Sequence, residues 1–528
     1  MHIQLSLKKL STILFMVLFQ LSSIQAQDKN FHIYLCFGQS NMEGQGIISS
    51  SDKVVDPRFK TFQALNCTNL NRTKEKWYTA IPPTCQSWSK LSPADYFGKT
   101  MVANLPDSIT VGIINVSIGG CDIRIFDKDI YENFDSTYKD TWFTDLVKGY
   151  DWNPYKYLID LAKLAQHDGV IKGILLHQGE TNTGDENWPK YVKKIYNDML
   201  ADLSLSADSV PLFAGEVLSA TGNCCASMNT IINRLDDTIP TAHIISSSGC
   251  AGKDNAHFNS DGYRKLGRRY AVTMLSLMGL EADYAETECG SIGNKLFVNA
   301  EETASNGAYI MSKQTSIAVP TDTTDVLKLT IKVVKDTTYN VYGRFNNTNT
   351  SHDSFWMKID NGSYEYFENM TTKGWEWLEL KSVDLTPGNH TFSFAFADDS
   401  VKFDKLAVKN THRKPVDVGE EAQKLCIANI TPNGNDILQN GYYLEQSYPN
   451  PVTSGYVKFT FSIPKTCYVS LKLYNSNGIE ITEIVGNNYK EGTYSVQLKT
   501  DELLAGLYYY TMKTEEFTST KKMMVMVK

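Results

Sequence analysis

Ser40, Asp254 and His257 are the residues whose types and spacing can do chemistry. Ser40 stands in Gly38-Gln39-Ser40-Asn41-Met42, directly after the apolar run Phe31-His32-Ile33-Tyr34-Leu35-Cys36-Phe37. Such a run reads as a buried strand. A serine just past it lies at the carboxyl edge of a sheet, where α/β proteins bind their ligands. Taken alone, a serine is most often a solvated turn residue. The second signal comes more than 200 residues later, in Asp254-Asn255-Ala256-His257. An acid three residues before a histidine can hold the imidazole tautomer and stabilise its charge. The imidazole can then take the serine proton. A lone histidine is more often structural, and the neighbouring acid is what sets His257 apart.

That chemistry is acyl transfer, and it needs donors for an oxyanion. Gly119-Gly120 follows the strand-like run 111–117, and His177-Gln178-Gly179-Glu180 follows 173–176. In a parallel sheet these carboxyl ends share one edge. The backbone N–H groups of Ser40 and Gly120 and the side-chain amide of Gln178 are therefore the expected oxyanion donors. Losing one such donor costs about 3 kcal/mol of barrier. Gln39, Asn41, Glu180, Asp122 and Arg124 are candidate substrate contacts. His177 is expected to be structural, holding the loop that carries Gln178. The lipase-type elbow G-x-S-x-G is absent at Ser40, because Met42 holds its last position.

The elements that must position these residues alternate. Strands are expected at 31–37, 111–117, 171–177, 210–217 and 242–247. Helices are expected at Trp188 to Leu203, with Val192, Ile195, Tyr196 and Met199 on one face, at Tyr155 to His167, and from a Ser260 cap to about Met278. Strand-helix alternation implies a parallel sheet covered on both faces. After about residue 285 the helical period fades. Short runs rich in Thr, Val, Tyr and Phe alternate with Asn, Gly and Asp turns, the pattern of β-sandwiches.

A length of 528 residues predicts about three domains. The formal charge of −8 is spread along the chain, which argues against nucleic-acid partners and a polybasic membrane patch. Residues 1–26 read as a signal peptide, with Lys8 and Lys9 before an apolar stretch and Ala26 at the cleavage end. That stretch is shorter than the ~20 residues needed to span a bilayer. Export permits disulfides among the ten cysteines, with Cys67–Cys85, and Cys250 with Cys224 or Cys225, as candidate pairs.

The ordered blocks G-Q-S-N-M, G-G, H-Q-G-E and D-x-x-H resemble the SGNH-hydrolase superfamily, and more narrowly its sialate O-acetylesterase and acetylxylan esterase branch (carbohydrate esterase family six-like). The resemblance covers roughly 30–280. It implies a flavodoxin-like three-layer α/β/α sheet, a triad of Ser40, Asp254 and His257, and an oxyanion hole of Ser40, Gly120 and Gln178. Where relatives often follow the double glycine with Thr-Ser, this chain has Cys121-Asp122-Ile123-Arg124. The resemblance implies an exported acetylesterase acting on acetylated polysaccharide without a catalytic cofactor. The alternatives are sialate O-acetylesterase activity and a catalytically inactive glycan-binding protein.

Residues 285–410 resemble a jelly-roll carbohydrate-binding module, on Asn299-Ala300-Glu301-Glu302, Trp375-Glu376-Trp377 and Phe403-Asp404-Lys405-Leu406 among others. That likeness implies a sugar platform of Trp356, Trp375 or Trp377, with a core role as the competing reading. It also implies a structural calcium near Glu301 and Glu302. Residues 411–440 read as a linker. Residues 441–528 resemble the C-terminal sorting domain of type IX secretion substrates from Bacteroidetes-like bacteria, on Tyr448-Pro449-Asn450-Pro451, Asn477-Gly478 and Leu504-Ala505-Gly506-Leu507-Tyr508. The partner then is the secretion machinery, and the destination the cell surface or beyond.

Overall fold

A computed structural model describes residues 27–526, except 135–140, 220–222, 294–295, 313–317, 321–324, 350–352, 399–400, 425, 427–441, 448–449, 453–455, 476–477 and 501–502. The expected signal peptide, Tyr448, Pro449, Asn477 and half of the expected linker lie outside the described residues. Among the described residues no helix is long and apolar enough to cross a membrane.

The first region is built on seven strands: β1 (Asp28–Gly38), β2 (Phe59–Phe62), β3 (Trp77–Thr79), β4 (Thr110–Ser117), β5 (Gly169–His177), β6 (Leu212–Gly215) and β7 (Ala242–Ile245). They lie side by side as β3-β2-β4-β1-β5-β6-β7. All neighbours are parallel except the edge pair β2–β3. The five strands expected from the sequence are present. The short edge pair was not anticipated, since three or four residues give too little periodicity to read. Along β1 the side chains alternate between two cores, as a strand period of two requires. Ile33, Leu35 and Phe37 enter one core with helix Trp188–Asp202. Tyr34 and Cys36 enter the other with helices Pro93–Asn104 and Ser260–Leu277. The cap of that last helix is Asn259, whose side chain accepts the Gly262 N–H, not Ser260 as expected. Ser260 instead donates to the Ile47 carbonyl.

The second region is a β-sandwich. One sheet runs Glu376–Leu385, Thr337–Phe345, Phe403–Lys409, Ala308–Ser312 and Leu296–Ala300, with Ala282–Glu286 also paired to Phe403–Lys409. The facing sheet runs Leu327–Val333, Gly388–Phe396, Phe355–Ile359 and Glu365–Phe367. The strand Ala282–Glu286 straddles the boundary expected at 284/285, so the sandwich begins earlier. Two further antiparallel sheets, of three and four strands, build the C-terminal region around Phe459, Phe461, Leu471 and Tyr510.

The start of the expected linker is not a free tether. Residues 410–424 lie against both neighbours. Arg413 pairs with Asp56 and Asp107, Thr411 donates to Asn104, Arg269 donates to both carboxylate oxygens of Glu421, and Gln423 bonds Lys332 and Asp283. Cys426 closes a disulfide with Cys289. The expected pairs involving Cys67, Cys85 and Cys250 do not form. Those three thiols are free and buried, and Cys224 bonds its chain neighbour Cys225.

Helices Pro93–Asn104 and Ser260–Leu277 pack at unusually close range. A Cβ on Gly267 would stand 2.3 Å from the Pro93 carbonyl oxygen. We expect Gly267→Ala to cost about 1–3 kcal/mol, the usual range for overpacking, read as a lower midpoint in denaturant unfolding.

Candidate active site

The site begins with strand register. Gly38 is level with Ser117 on β4 and with His177 on β5. The segments that leave these three strands therefore emerge side by side. Gly38 has φ +146°, and a Cβ there would sit 2.1 Å from the His177 carbonyl oxygen. Only glycine is tolerated at such a position. Gln39 N–H donates to that same carbonyl at 3.1 Å, and the short helix Ser40–Glu43 starts immediately after.

The Ser40 hydroxyl meets His257 Nε2 at 2.9 Å. His257 Nδ1 lies 3.0 Å from both carboxylate oxygens of Asp254. The three residues expected to act together are thus in hydrogen-bonding sequence, with the histidine oriented by the acid. Burial would raise the Asp254 carboxyl. The N–H groups of Ala256 and His257 and the His257 ring outweigh it and hold the carboxyl below its ordinary value. Asp254 therefore stays ionised and can hold a proton on Nδ1, leaving Nε2 to accept from Ser40.

Asn41 is the clamp between the serine and histidine loops. Its Nδ2 donates to Glu180 and, at 3.0 Å, to the Ala256 carbonyl. Its Oδ1 accepts from the Tyr263 hydroxyl and the Phe258 N–H. Asn41 is fully buried, so it positions His257 and does not contact substrate as expected. Gln39 is also buried, its Oε1 accepting from Gln178 and the Thr181 N–H.

Gln178 corrects a second expectation. Its Nε2 faces three acceptors, Gln39 Oε1, the Cys121 carbonyl and Asn182 Oδ1, at 3.1, 3.1 and 2.7 Å, while Oε1 accepts from Trp188 at 2.6 Å. Both N–H groups are committed, so this amide braces the loops around the site and has no donor left for an oxyanion. Asn182 continues the brace to Asp122, which also accepts from Arg124. Arg124 in turn lies over the Phe134 and Tyr191 rings. Asp122 and Arg124 are accordingly a structural pair. Among the described residues no backbone acceptor meets the Ser40 or Gly120 N–H, so neither is committed to a backbone carbonyl.

His177 has the structural role expected of it. It is buried, its Nε2 donates to the Glu216 carbonyl at 3.0 Å, and burial lowers it to about 4, so the ring is neutral.

Two buried acids flank the nucleophile, and the sequence reading passed over one of them. Burial raises Glu43 to about 7, against the lowering influence of the Trp88 indole and Gly119 N–H groups. Its only sequence signal was an acid closing the first turn after Ser40. Burial likewise raises Glu180 to about 7, with Asn41 opposing, and Glu180 Oε2 is buried without a partner among the described residues.

The vicinal disulfide is the other feature absent from the sequence reading. The Cys224 N–H donates to the Asn255 carbonyl at 3.0 Å, inside the Asp254–His257 turn. The sandwich tryptophans divide. Trp377 is packed against Tyr284 and fills core, as the competing reading had it. Trp375 donates to Glu301 and Thr303 and lies against Tyr309 and Arg344. Trp356 packs on Tyr366. Glu301 and Glu302 do not fit a calcium site. The Glu301 carboxylate is occupied by Lys402, Trp375 and Thr303, and Glu302 is exposed.

Residues 30–276 match the family described as carbohydrate esterase, sialic acid-specific acetylesterase. Residues 446–526 match the secretion system C-terminal sorting domain. The resemblances read from the serine, glycine, glutamine and histidine blocks and from the C-terminal strands are borne out by these two matches. Among solved structures, a carbohydrate acetylesterase from Xanthomonas citri is similar at 12% identity, over 70% of this chain and 78% of that chain, with TM-score 0.35. An Arabidopsis thaliana protein is similar at 17% identity, over 47% of this chain and 98% of that one, with TM-score 0.35. A family 35 carbohydrate binding module from Clostridium thermocellum is similar at 19% identity, over 24% of this chain and 97% of that one, with TM-score 0.20.

The buried acids set a pH dependence. Between the ordinary glutamate value of 4.5 and about 7, the unfolded chain releases the Glu180 proton while the folded chain keeps it. Stability therefore falls as pH rises through that window, at up to about 1.4 kcal/mol per pH unit for each such group. Glu180→Gln mimics the protonated acid and still accepts from Asn41. We expect its melting temperature to fall less than the parent's between pH 5 and pH 8. The vicinal disulfide supplies a second test. Replacing Cys224 and Cys225 together by serine should lower kcat severalfold with little change in KM, because the turn bearing Asp254 and His257 loses a support.

Proposed function

We propose that this chain is an exported serine esterase that removes O-acetyl groups from a polysaccharide, with acetylated xylan-type hemicellulose as the favoured substrate. One observation carries the reading: the Ser40 hydroxyl, His257 and Asp254 stand in hydrogen-bonding sequence within the stretch that matches a carbohydrate esterase family. The sorting-domain match supports export and delivery by secretion machinery. The family's description favours a second reading, O-acetylated sialic acid as substrate.

The chemistry follows from the residues. His257 Nε2 takes the Ser40 proton as Oγ attacks the acetyl carbonyl. The tetrahedral oxyanion forms beside the N–H groups of Ser40 and Gly120, where fixed dipoles favour it. His257 then gives its proton to the departing sugar hydroxyl, leaving acetyl-Ser40. Water, deprotonated by His257, attacks this ester, and acetate leaves as the proton returns to Oγ. Asp254 keeps Nδ1 protonated throughout.

The acetyl group is small, so discrimination must come from contacts to the sugar. The partition into a catalytic region, a sugar-binding sandwich and a sorting domain is part of the same reading. We expect Ser40→Ala to lower acetate release at least about a thousandfold, measured on acetylated xylan and on O-acetylated sialic acid side by side. Release by the variant at the parental rate would refute the nucleophile. Release by neither protein from any acetylated glycan would leave the inactive glycan-binding alternative.

A further inference from the structure

We infer that Trp88 and Trp142 form a sugar subsite at the mouth of the active site, taking the apolar face of the pyranose ring whose acetyl ester reaches Ser40. This inference rests on the acetylesterase reading and adds the residues that would recognise the sugar.

Both indoles are joined to the catalytic loops. Trp142 is the second residue of the helix Thr141–Gly149 and is 52% exposed, whereas its neighbour Phe143 is 1% exposed. The helix thus anchors on Phe143 and leaves the indole outside. Trp142 Cη2 lies 3.3 Å from the position that a Cβ on Gly120 would take. The tip of the ring therefore rests against Gly120, whose N–H is one of the two proposed oxyanion donors. Trp88 is 58% exposed. Its indole N–H and the Gly119 N–H both act to lower the Glu43 carboxyl against burial. The Cβ position of Gly119 is 2.9 Å from Glu43 Oε2 and 3.7 Å from Ser40 Cβ. Trp142 thus meets the glycine loop directly at Gly120, and Trp88 joins it by way of Glu43, which stands against Gly119.

A large aromatic surface left in water beside a reactive group is a binding feature, since burying it is favourable. The matching ligand has a flat apolar face with hydroxyls around its rim, which a pyranose presents. An isolated acetyl group is too small to cover either ring. Of the sandwich tryptophans, Trp377 is buried and the indole N–H of Trp375 is tied to Glu301.

The test compares kcat/KM on an acetylated xylo-oligosaccharide with that on ethyl acetate, which has no ring to stack. Trp142→Ala is expected to lower the oligosaccharide value tenfold or more, chiefly through KM. The ratio of the two substrates should fall at least fivefold. Trp142→Phe should restore much of the ratio, and Trp88→Ala should lower it in the same sense. Equal losses on both substrates would mean that Trp142 only supports the Gly120 loop, and would overturn the inference, as would an unchanged ratio. If Trp142→Ala fails to fold, as judged by thermal melting, Trp142→His and Trp88→Ala decide the matter by the same ratio. A parent enzyme that hydrolyses ethyl acetate but no acetylated sugar would sink the carbohydrate reading itself. Normal sugar turnover with an unaltered ratio would sink the subsite alone.

Discussion

The hydrogen bond from the Gln39 N–H to the His177 carbonyl fixes the geometry on which the site depends. It forms because β1 and β5 end level with each other, with Gly38 opposite His177, and because Gly38 has no Cβ to separate the two chains. β4 ends at the same height, with Ser117 opposite Gly38. Three parallel strands that stop in register deliver a serine, a pair of glycines and a glutamine-bearing loop to one edge. This is the general reason such sheets bind ligands at their carboxyl ends. Here it also explains why residues so far apart along the chain meet at one edge of the sheet.

Register alone does not bring in the histidine, which follows the edge strand β7. Asn41 closes that distance. One side chain beside the nucleophile reaches Glu180 on one side and the Ala256 carbonyl and Tyr263 hydroxyl on the other. Its burial in a low-dielectric setting makes each of these bonds matter, because a buried amide left unpaired would be costly. Gln178 and Asn182 do the same work beneath the glycine loop. The site is thus held by a continuous set of buried amides, with Ser40 and His257 at its less buried face.

Behind the site, the chain binds its regions to each other more firmly than a tether would. Residues 410–424 return across the first region through Arg413, Thr411 and Glu421, and the Cys289–Cys426 disulfide ties their end to the sandwich. Trp88 and Trp142 of the first region stand exposed, whereas Trp377 of the sandwich packs inward.

The linked Ser40, His257 and Asp254, the double glycine, the central strands and the change to β-sandwich texture were legible in the sequence by itself. Local signals determine each of these: an apolar run, a strand-ending glycine, an acid three residues from a histidine, a two-residue period. Which polar side chains face substrate was not legible, because an amide looks the same in a motif whether it points to solvent or into a brace. Asn41 and Gln178 belong to the brace, and only the packing of segments 139 to 222 residues apart shows it. Disulfide pairing was decided in the same way. Cys67, Cys85 and Cys250 are enclosed singly, while Cys289 meets Cys426 across 137 residues. Tertiary structure also turned Trp88 and Trp142 outward and Trp377 inward, since burial depends on which faces the folded layers cover.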